Sequence, residues 1–204
     1  MTRKCPWAYR DPLEEIYHDQ VWGRPCHDDR ILFEYLILEG MQAGLSWTTI
    51  MRKREAMDKA FDHFDLVTIL SYDDKKIDSL MANPAIIRNR SKLEALVKNA
   101  KAFKTVQEEW GSFQAYIWSF TGGKVLVGQW ASIEQVPSTS PLAHFLSKDM
   151  KKRGFSFVGP TIVQAFLQAI GIINGHVVTC PSRSQCLALA RESIDYQAFM
   201  KGLI

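Results

Sequence analysis

At 204 residues, with 47% apolar and 23% charged side chains, the chain can bury a real core as one domain or as two closely packed lobes. Its net charge of +3 permits nucleic-acid binding but is too small to argue for it unaided. No run of 18 apolar residues and no cationic-then-apolar leader occurs, so no membrane contact is expected and the reading is cytoplasmic; the four cysteines then read as thiols or metal ligands.

Residues 1–30 are dense in unusual side chains, with Cys5, Trp7, Tyr9, Tyr17, His18, Trp22, Cys26 and His27 interrupted by Pro6, Pro12, Gly23 and Pro25. This predicts a loop-rich segment with a short helix over Leu13 to Asp19, which sets Tyr17 and His18 on different sides. Asp28 or Asp29 can then cap a helix whose Leu32, Phe33, Leu36 and Ile37 recur at helical spacing, with Gly44 as its left-handed end.

Glu39 lies on or near the inward stripe of that helix, and a buried carboxylate must be paired, protonated or facing a cavity. Two readings compete. In one, Glu39 sits at the helix edge and pairs with a surface arginine. In the other it lines a ligand pocket with flat walls from Trp47 and Tyr17, and accepts hydrogen bonds from a planar heterocycle.

Ser46 can cap the next helix, with Ile50, Met51, Met57, Phe61 and Phe64 inward, and Asp65 and Asp73 read as further caps. Pro84 stops the helix that Asp73 opens, and Ser91-Lys92-Leu93-Glu94 has the capping-box form ahead of the stripe Leu93, Leu96, Val97, Ala100 and Phe103. The turn Asn83 to Arg90 is either plain packing between helices or a backbone cradle for a phosphate assisted by Arg88, Arg90 and Lys92.

Phe113, Tyr116, Ile117 and Phe120 make another stripe, with Trp118 off it. Val125-Leu126-Val127 reads as too short to found a sheet, and residues 124–136 are otherwise unread. Ser140-Pro141 opens a helix with Leu142, Phe145, Leu146 and Met150 inward, and Thr161 to Ile170 reads as a buried helix closed by Gly171. With no alternating strand run of useful length, the expected fold class is all-α.

His176 and Cys180 lie four residues apart, and Cys5 with His18 offers the same two ligand types at the other end of the chain. Together they suffice for a closed tetrahedral zinc site, which would be structural, one ion per chain, tying the N-terminal segment to the C-terminal loop. The competing reading is a buried thiol beside a satisfied histidine, with His27 the rival of His18 and with Cys26 and Cys186 as spare thiols.

Taken together, Cys5-Pro6-Trp7, Tyr17 to Gly23, Leu38 to Trp47, Ile86 to Lys92, Lys151 to Thr161 and Asn174-Gly175-His176 resemble the 3-methyladenine DNA glycosylase I family, from Cys5 to about Cys180. The resemblance implies one helix-hairpin-helix glycosylase domain over 1–204, with the hairpin at 77–103 and terminal segments 1–30 and 171–186 joined at a structural zinc on Cys5, His18, His176 and Cys180. It implies excision of 3-methyladenine from double-stranded alkylated DNA by a monomer. Glu39 would be the catalytic or base-reading group, Tyr17, Trp47 and Trp7 the base-pocket aromatics, and Leu45 the filler of the gap left in the duplex. Gln42, Arg88, Arg90 and Lys92 would contact DNA, although Ala85 stands where related hairpins often carry glycine. Phe113 through Val127 holds no Asp or Glu, consistent with the family's lack of the aspartate usual in this superfamily. Residues 187–204 lie beyond the compact match, and Leu187, Ala190, Ile194 and Ala198 predict an extra helix there. A non-catalytic zinc-stabilised DNA-binding module has no use for Glu39 amid aromatics, and a zinc hydrolase needs an open coordination position.

Overall fold

The computed structural model describes residues 3–203. After a 3-10 turn at Pro6–Tyr9 the chain runs through α1 (Pro12–Gln20), α2 (Asp29–Gln42), α3 (Trp47–Ala60), α4 (Leu66–Leu70), α5 (Asp74–Ala82), α6 (Arg90–Trp110) and α7 (Phe113–Ser119). It continues through β1 (Val125–Val127), α8 (Pro141–Lys152), α9 (Pro160–Ala169), β2 (Ile173–Asn174), α10 (Pro181–Leu189), β3 (Ser193–Asp195) and α11 (Tyr196–Lys201). Among the described residues no helix is long and apolar enough to cross a membrane.

Side-chain caps set most helix starts. Asp28, Ser46, Asp65 and Asp73 accept from the backbone N–H groups of Ile31, Thr49, Thr68 and Lys76, each relieving an amide that the first helical turn leaves without a partner. The start of α6 differs from expectation: Asn89, not Ser91, is the cap, its side chain accepting from Lys92 N at 3.1 Å, so the helix begins at Arg90. Asp29, the other candidate cap of α2, accepts instead from the amides of Phe113 (2.8 Å) and Gln114 (2.7 Å) and holds the start of α7.

By packing, the chain divides into two compact units. One runs to His27 and takes in Ile117–Ser147 and the chain from Gly159 onward; the other is Asp28–Tyr116 with Lys148–Val158. In the second unit α2 is buried from Leu32 to Met41, and Phe103 of α6 meets Phe33 edge-on at 5.2 Å and stacks on Phe113 at 4.1 Å.

The first unit holds what an all-α reading misses, a parallel three-stranded sheet ordered β2-β1-β3. Val125-Leu126-Val127 is its central strand, with Leu126 opposite both Ile173 and Ile194. All three β1 residues are buried, so the strand carries no apolar-polar alternation, and both partners lie far along the chain. The tail is likewise not one helix: α10 stops at Leu189, Ile194 joins β3, and Asp195 caps a separate α11. Two further expectations fail locally, since Phe145 is 63% exposed, whereas Trp118 is buried and its indole N–H donates to Cys26 O at 2.9 Å.

Candidate functional site

Glu39 lies in the last turn of α2, a helix so thoroughly buried that its polar side chains need individual explanations. Glu34, one and a half turns earlier, has one. It is 3% exposed, and its carboxylate accepts two N–H groups of Arg54, at 2.8 and 2.6 Å, with Arg30 at 3.5 Å. The ordinary arginine pairing considered for Glu39 therefore belongs to Glu34. Glu39 is equally buried, yet its Oε2 has no hydrogen-bond partner among the described residues. Removal from water without a compensating charge pushes its carboxyl up to about 8, so at neutral pH it holds its proton.

Two features fix the surroundings of Glu39 within this unit. Gly44, at φ +76°, ends the helix and lets the chain turn back through Leu45 to Ser46, which caps α3 so that half-buried Trp47 is its first residue. Next to Glu39, Gly40 lies under Phe157: a Cβ added at Gly40 would meet Phe157 Cβ at 3.4 Å. Phe157 itself has φ +55°, a left-handed conformation unusual for an aromatic residue. Its neighbour Ser156 is clamped to buried Asn99, which accepts from Ser156 N at 2.7 Å and donates to Ser156 O at 3.0 Å. Sequence reasoning caught this loop only as a motif; neither Asn99 nor Phe157 carries a local signal.

Leu45 is 40% exposed and Gln42 half-buried on the α2–α3 turn. Between α5 and α6, Asn83 Oδ1 accepts from Ala85 N at 3.0 Å, and Lys53 donates to the carbonyls of Pro84 and Ala85, each at 3.0 Å. Of the cations expected here, Arg88 is exposed and Arg90 pairs with Asp78 and, at 3.9 Å, with Glu94. Lys92 points the other way: it is 7% exposed, and its ammonium donates to Met41 O at 2.8 Å and Ala43 O at 2.6 Å.

In the first unit, Cys5, His18, His176 and Cys180 converge. All four are buried, and one ligand atom from each lies within 4.8 Å of the others. His27, the rival ligand, stands apart, exposed and stacked on Trp118 at 4.7 Å. Cys180 Sγ lies 3.4 Å from His18 Nε2 and 3.6 Å from His176 Nδ1, and Cys5 Sγ lies 3.6 Å from the same Nδ1. A tetrahedral zinc with ordinary Zn–S and Zn–N lengths has sulfur-to-nitrogen edges of about 3.6 Å, so the donor set fits that ion. The outer ring atoms are also held: His18 Nδ1 lies 2.8 Å from Asp19 Oδ1 and His176 Nε2 lies 3.2 Å from Trp22 O. Both acceptors call for a protonated outer nitrogen, which leaves the inner nitrogens as lone pairs aimed at the centre. The hydrogen bond from Cys5 holds the Cys180 thiol far below its ordinary range, while the same bond and burial raise Cys5.

Tyr17 is 5% exposed on α1, beside half-buried Trp7 at 6.3 Å between ring centroids. Trp7 in turn meets His18 at 5.1 Å and Trp22 at 5.0 Å, both edge-on, so the aromatic cluster packs directly against the Cys/His cluster.

The family model for methyladenine glycosylase matches residues 7–184. The chain is 42% identical over 184 residues to the DNA-3-methyladenine glycosylase of Haemophilus influenzae, covering 90% of this chain and 100% of that protein. It is 40% identical over 177 residues to DNA-3-methyladenine glycosylase 1 of Escherichia coli K12, covering 87% and 95%. Its fold superposes with a TM-score of 0.85 on the 3-methyladenine DNA glycosylase I (TAG) of Staphylococcus aureus, solved to explain 3-methyladenine recognition, at 39% identity over 88% of this chain and 95% of the other.

Proposed function

Because the chain belongs to the methyladenine glycosylase family, we propose that it is a base-excision repair enzyme that hydrolyses the N-glycosidic bond of 3-methyladenine in alkylated duplex DNA. The observation that carries the mechanism is the buried Glu39 carboxyl with an unpartnered oxygen. Methylation at N3 leaves the adenine nucleoside cationic, so the base departs neutral across an already weakened bond. A cation placed beside Glu39 favours its carboxylate form and reverses the effect of burial. Glu39 is thus mainly protonated when empty and shifts toward its charged form opposite a positively charged ring, a shift that an unmethylated adenine does not produce. In this reading Glu39 accepts from the exocyclic amine and Trp47 offers a stacking face.

The helices α5 and α6 with their turn act as the helix-hairpin-helix that grips the DNA backbone, Arg88 and Arg90 supplying cations. Leu45 occupies the space vacated by the extruded nucleotide, and Gln42 contacts the DNA beside it. Cys5, His18, His176 and Cys180 would hold one zinc per chain, and its role would be structural, because four protein ligands leave no coordination position for water. A DNA substrate and unbridged thiols fit a cytoplasmic setting.

Release of free 3-methyladenine from methylated duplex DNA tests the reading. The parent should release it, and Glu39→Gln should lose about 2 to 4 kcal/mol of transition-state stabilisation, the scale of a hydrogen bond to a charged group. No release by the parent would refute the activity, and parental rates in Glu39→Gln would refute the role of Glu39.

A further inference from the structure

Lys92 is the second residue after Arg90 at the start of α6, where a lysine would ordinarily be read as a phosphate ligand. Its backbone does belong there, capped by Asn89. Its side chain leaves the helix end and crosses to the far end of α2, where it meets two carbonyls that lack helical donors. Met41 O would normally receive Leu45 N–H, but that amide bonds Gln42 O at 2.7 Å, and Ala43 is already the capping residue. The ammonium supplies the missing donors to both, at 2.8 and 2.6 Å, and places a positive charge at the negative end of the helix dipole. Burial lowers the pKa of the ammonium, and among the described residues no carboxylate forms an ion pair with it. So costly an arrangement persists only where it fixes something.

What it fixes is the turn Ala43 to Ser46. That turn joins the helix carrying Glu39 to the helix that begins with Trp47, and it presents Leu45. We propose that Lys92 is a positioning residue of the glycosylase reaction: it holds the α2–α3 turn, and through it Glu39, Trp47 and Leu45, and makes no phosphate contact. Asn99, two turns along the same face of α6, clamps the Phe157 loop over Gly40 by the same logic. One helix therefore presents outward cations at its start and two inward anchors behind it, so that backbone grip and lesion reading share a rigid part.

The proposal rests on the glycosylase reading and is tested against it. Lys92→Met and Lys92→Arg are compared with the parent on a duplex bearing one 3-methyladenine and on the same duplex undamaged. Affinity for undamaged duplex is followed against salt, and excision is followed in a single turnover at saturating enzyme. Lys92→Met should keep the parental salt slope while its excision rate falls about ten- to a hundredfold, the scale of losing a charge-assisted hydrogen bond. Lys92→Arg should also keep the slope and recover part of the rate, since a planar guanidinium caps the two carbonyls less well. A slope that falls by about 0.9 in Lys92→Met, the loss of one phosphate contact, with a parental saturated rate would overturn the proposal. If Lys92→Met does not fold, Lys92→Gln takes its place with the same two readouts: parental slope and parental rate together sink the positioning role, and a reduced rate at parental slope supports it. An inactive parent would instead refute the glycosylase reading.

Discussion

Trp130 and Tyr196 meet edge to face with ring centroids 5.0 Å apart, which ties the last helix to the loop after the central strand. Residues 185–204 lie outside the family match, yet β3 pairs with β1 along its whole length and Tyr196 and Met200 are buried at 7% exposure each. Ending the chain after Leu189 should therefore cost about 2 to 4 kcal/mol, the order expected for exposing two such side chains and the edge of β1. For a chain of this size that corresponds to a fall in Tm of roughly 4 to 16 °C. The rate of base release at 25 °C should be retained, because none of the removed residues belongs to the proposed site. A truncated protein that melts with the parent would assign the tail some other purpose.

Removing one ligand of the buried cluster should have a different signature. In Cys180→Ser the bound metal, measured by elemental analysis, should drop from about one per chain to near zero. The melting temperature should fall by roughly 6 °C or more, since binding energy at a site that does not exist in the unfolded chain is folding energy. A strong chelator added to the parent should reproduce the fall. His27→Ala should leave both readouts alone, its ring lying on Trp118 away from the cluster. Equal metal content in Cys180→Ser and parent would remove zinc from the proposal without touching the glycosylase activity.

Burial of Glu39 makes a prediction about pH. The folded carboxyl titrates near 8 and the unfolded one near 4.5, so between those values the folded chain holds a proton that the unfolded chain has lost. Stability then falls as pH rises across that window, by an amount of order 4 to 5 kcal/mol for the full shift, and is level on either side. Glu39→Gln abolishes the penalty because an amide does not ionise. Its advantage in Tm over the parent should be near zero at pH 4.5 and greatest at pH 8 and above, while its excision rate is reduced at every pH. Denaturation of both proteins across this range checks the claim, and a Tm difference independent of pH would mean that the carboxyl is not desolvated.

The helical frame was largely readable from residues whose signals are local. Asp28, Ser46, Asp65 and Asp73 cap helices because a short acceptor beside a free amide needs no tertiary help, and Glu39 stood out because a carboxylate in an apolar stripe is anomalous in any context. The four ligand residues could be grouped by type, but which histidine joins them depends on the fold. The sheet escaped because β1 is three residues long, buried throughout, and completed by strands whose pairing residues lie 47 or more positions away. Lys92 misled for a related reason. Its position in sequence describes its backbone correctly, whereas a four-carbon stem can deliver the charge to another helix, as its bonds to Met41 and Ala43 illustrate. Glu34 and Glu39 could not be told apart by pattern either, since the distinction is made by Arg54, twenty residues from one and absent from the other.

The outward cations separate in the same way, by their partners. Arg88 is exposed beside the α5–α6 turn, whereas Arg90 is drawn toward Asp78 and Glu94, which offset its charge and restrict its reach. Arg88→Ala should therefore weaken binding to any duplex, damaged or not, and reduce the salt slope by about 0.9, the share of one phosphate contact. Arg90→Ala should reduce it by less, since a guanidinium already neutralised by two carboxylates releases fewer counterions. Leu45→Ala should behave oppositely to both: it carries no charge, so its salt slope should match the parent, while excision from duplex DNA slows because nothing replaces the extruded nucleotide. Titrations of undamaged duplex at several salt concentrations, paired with single-turnover excision, separate the two classes. An Arg88→Ala protein with the parental slope would move the backbone contact away from this turn, and a Leu45→Ala protein with the parental rate would remove Leu45 from the extrusion step.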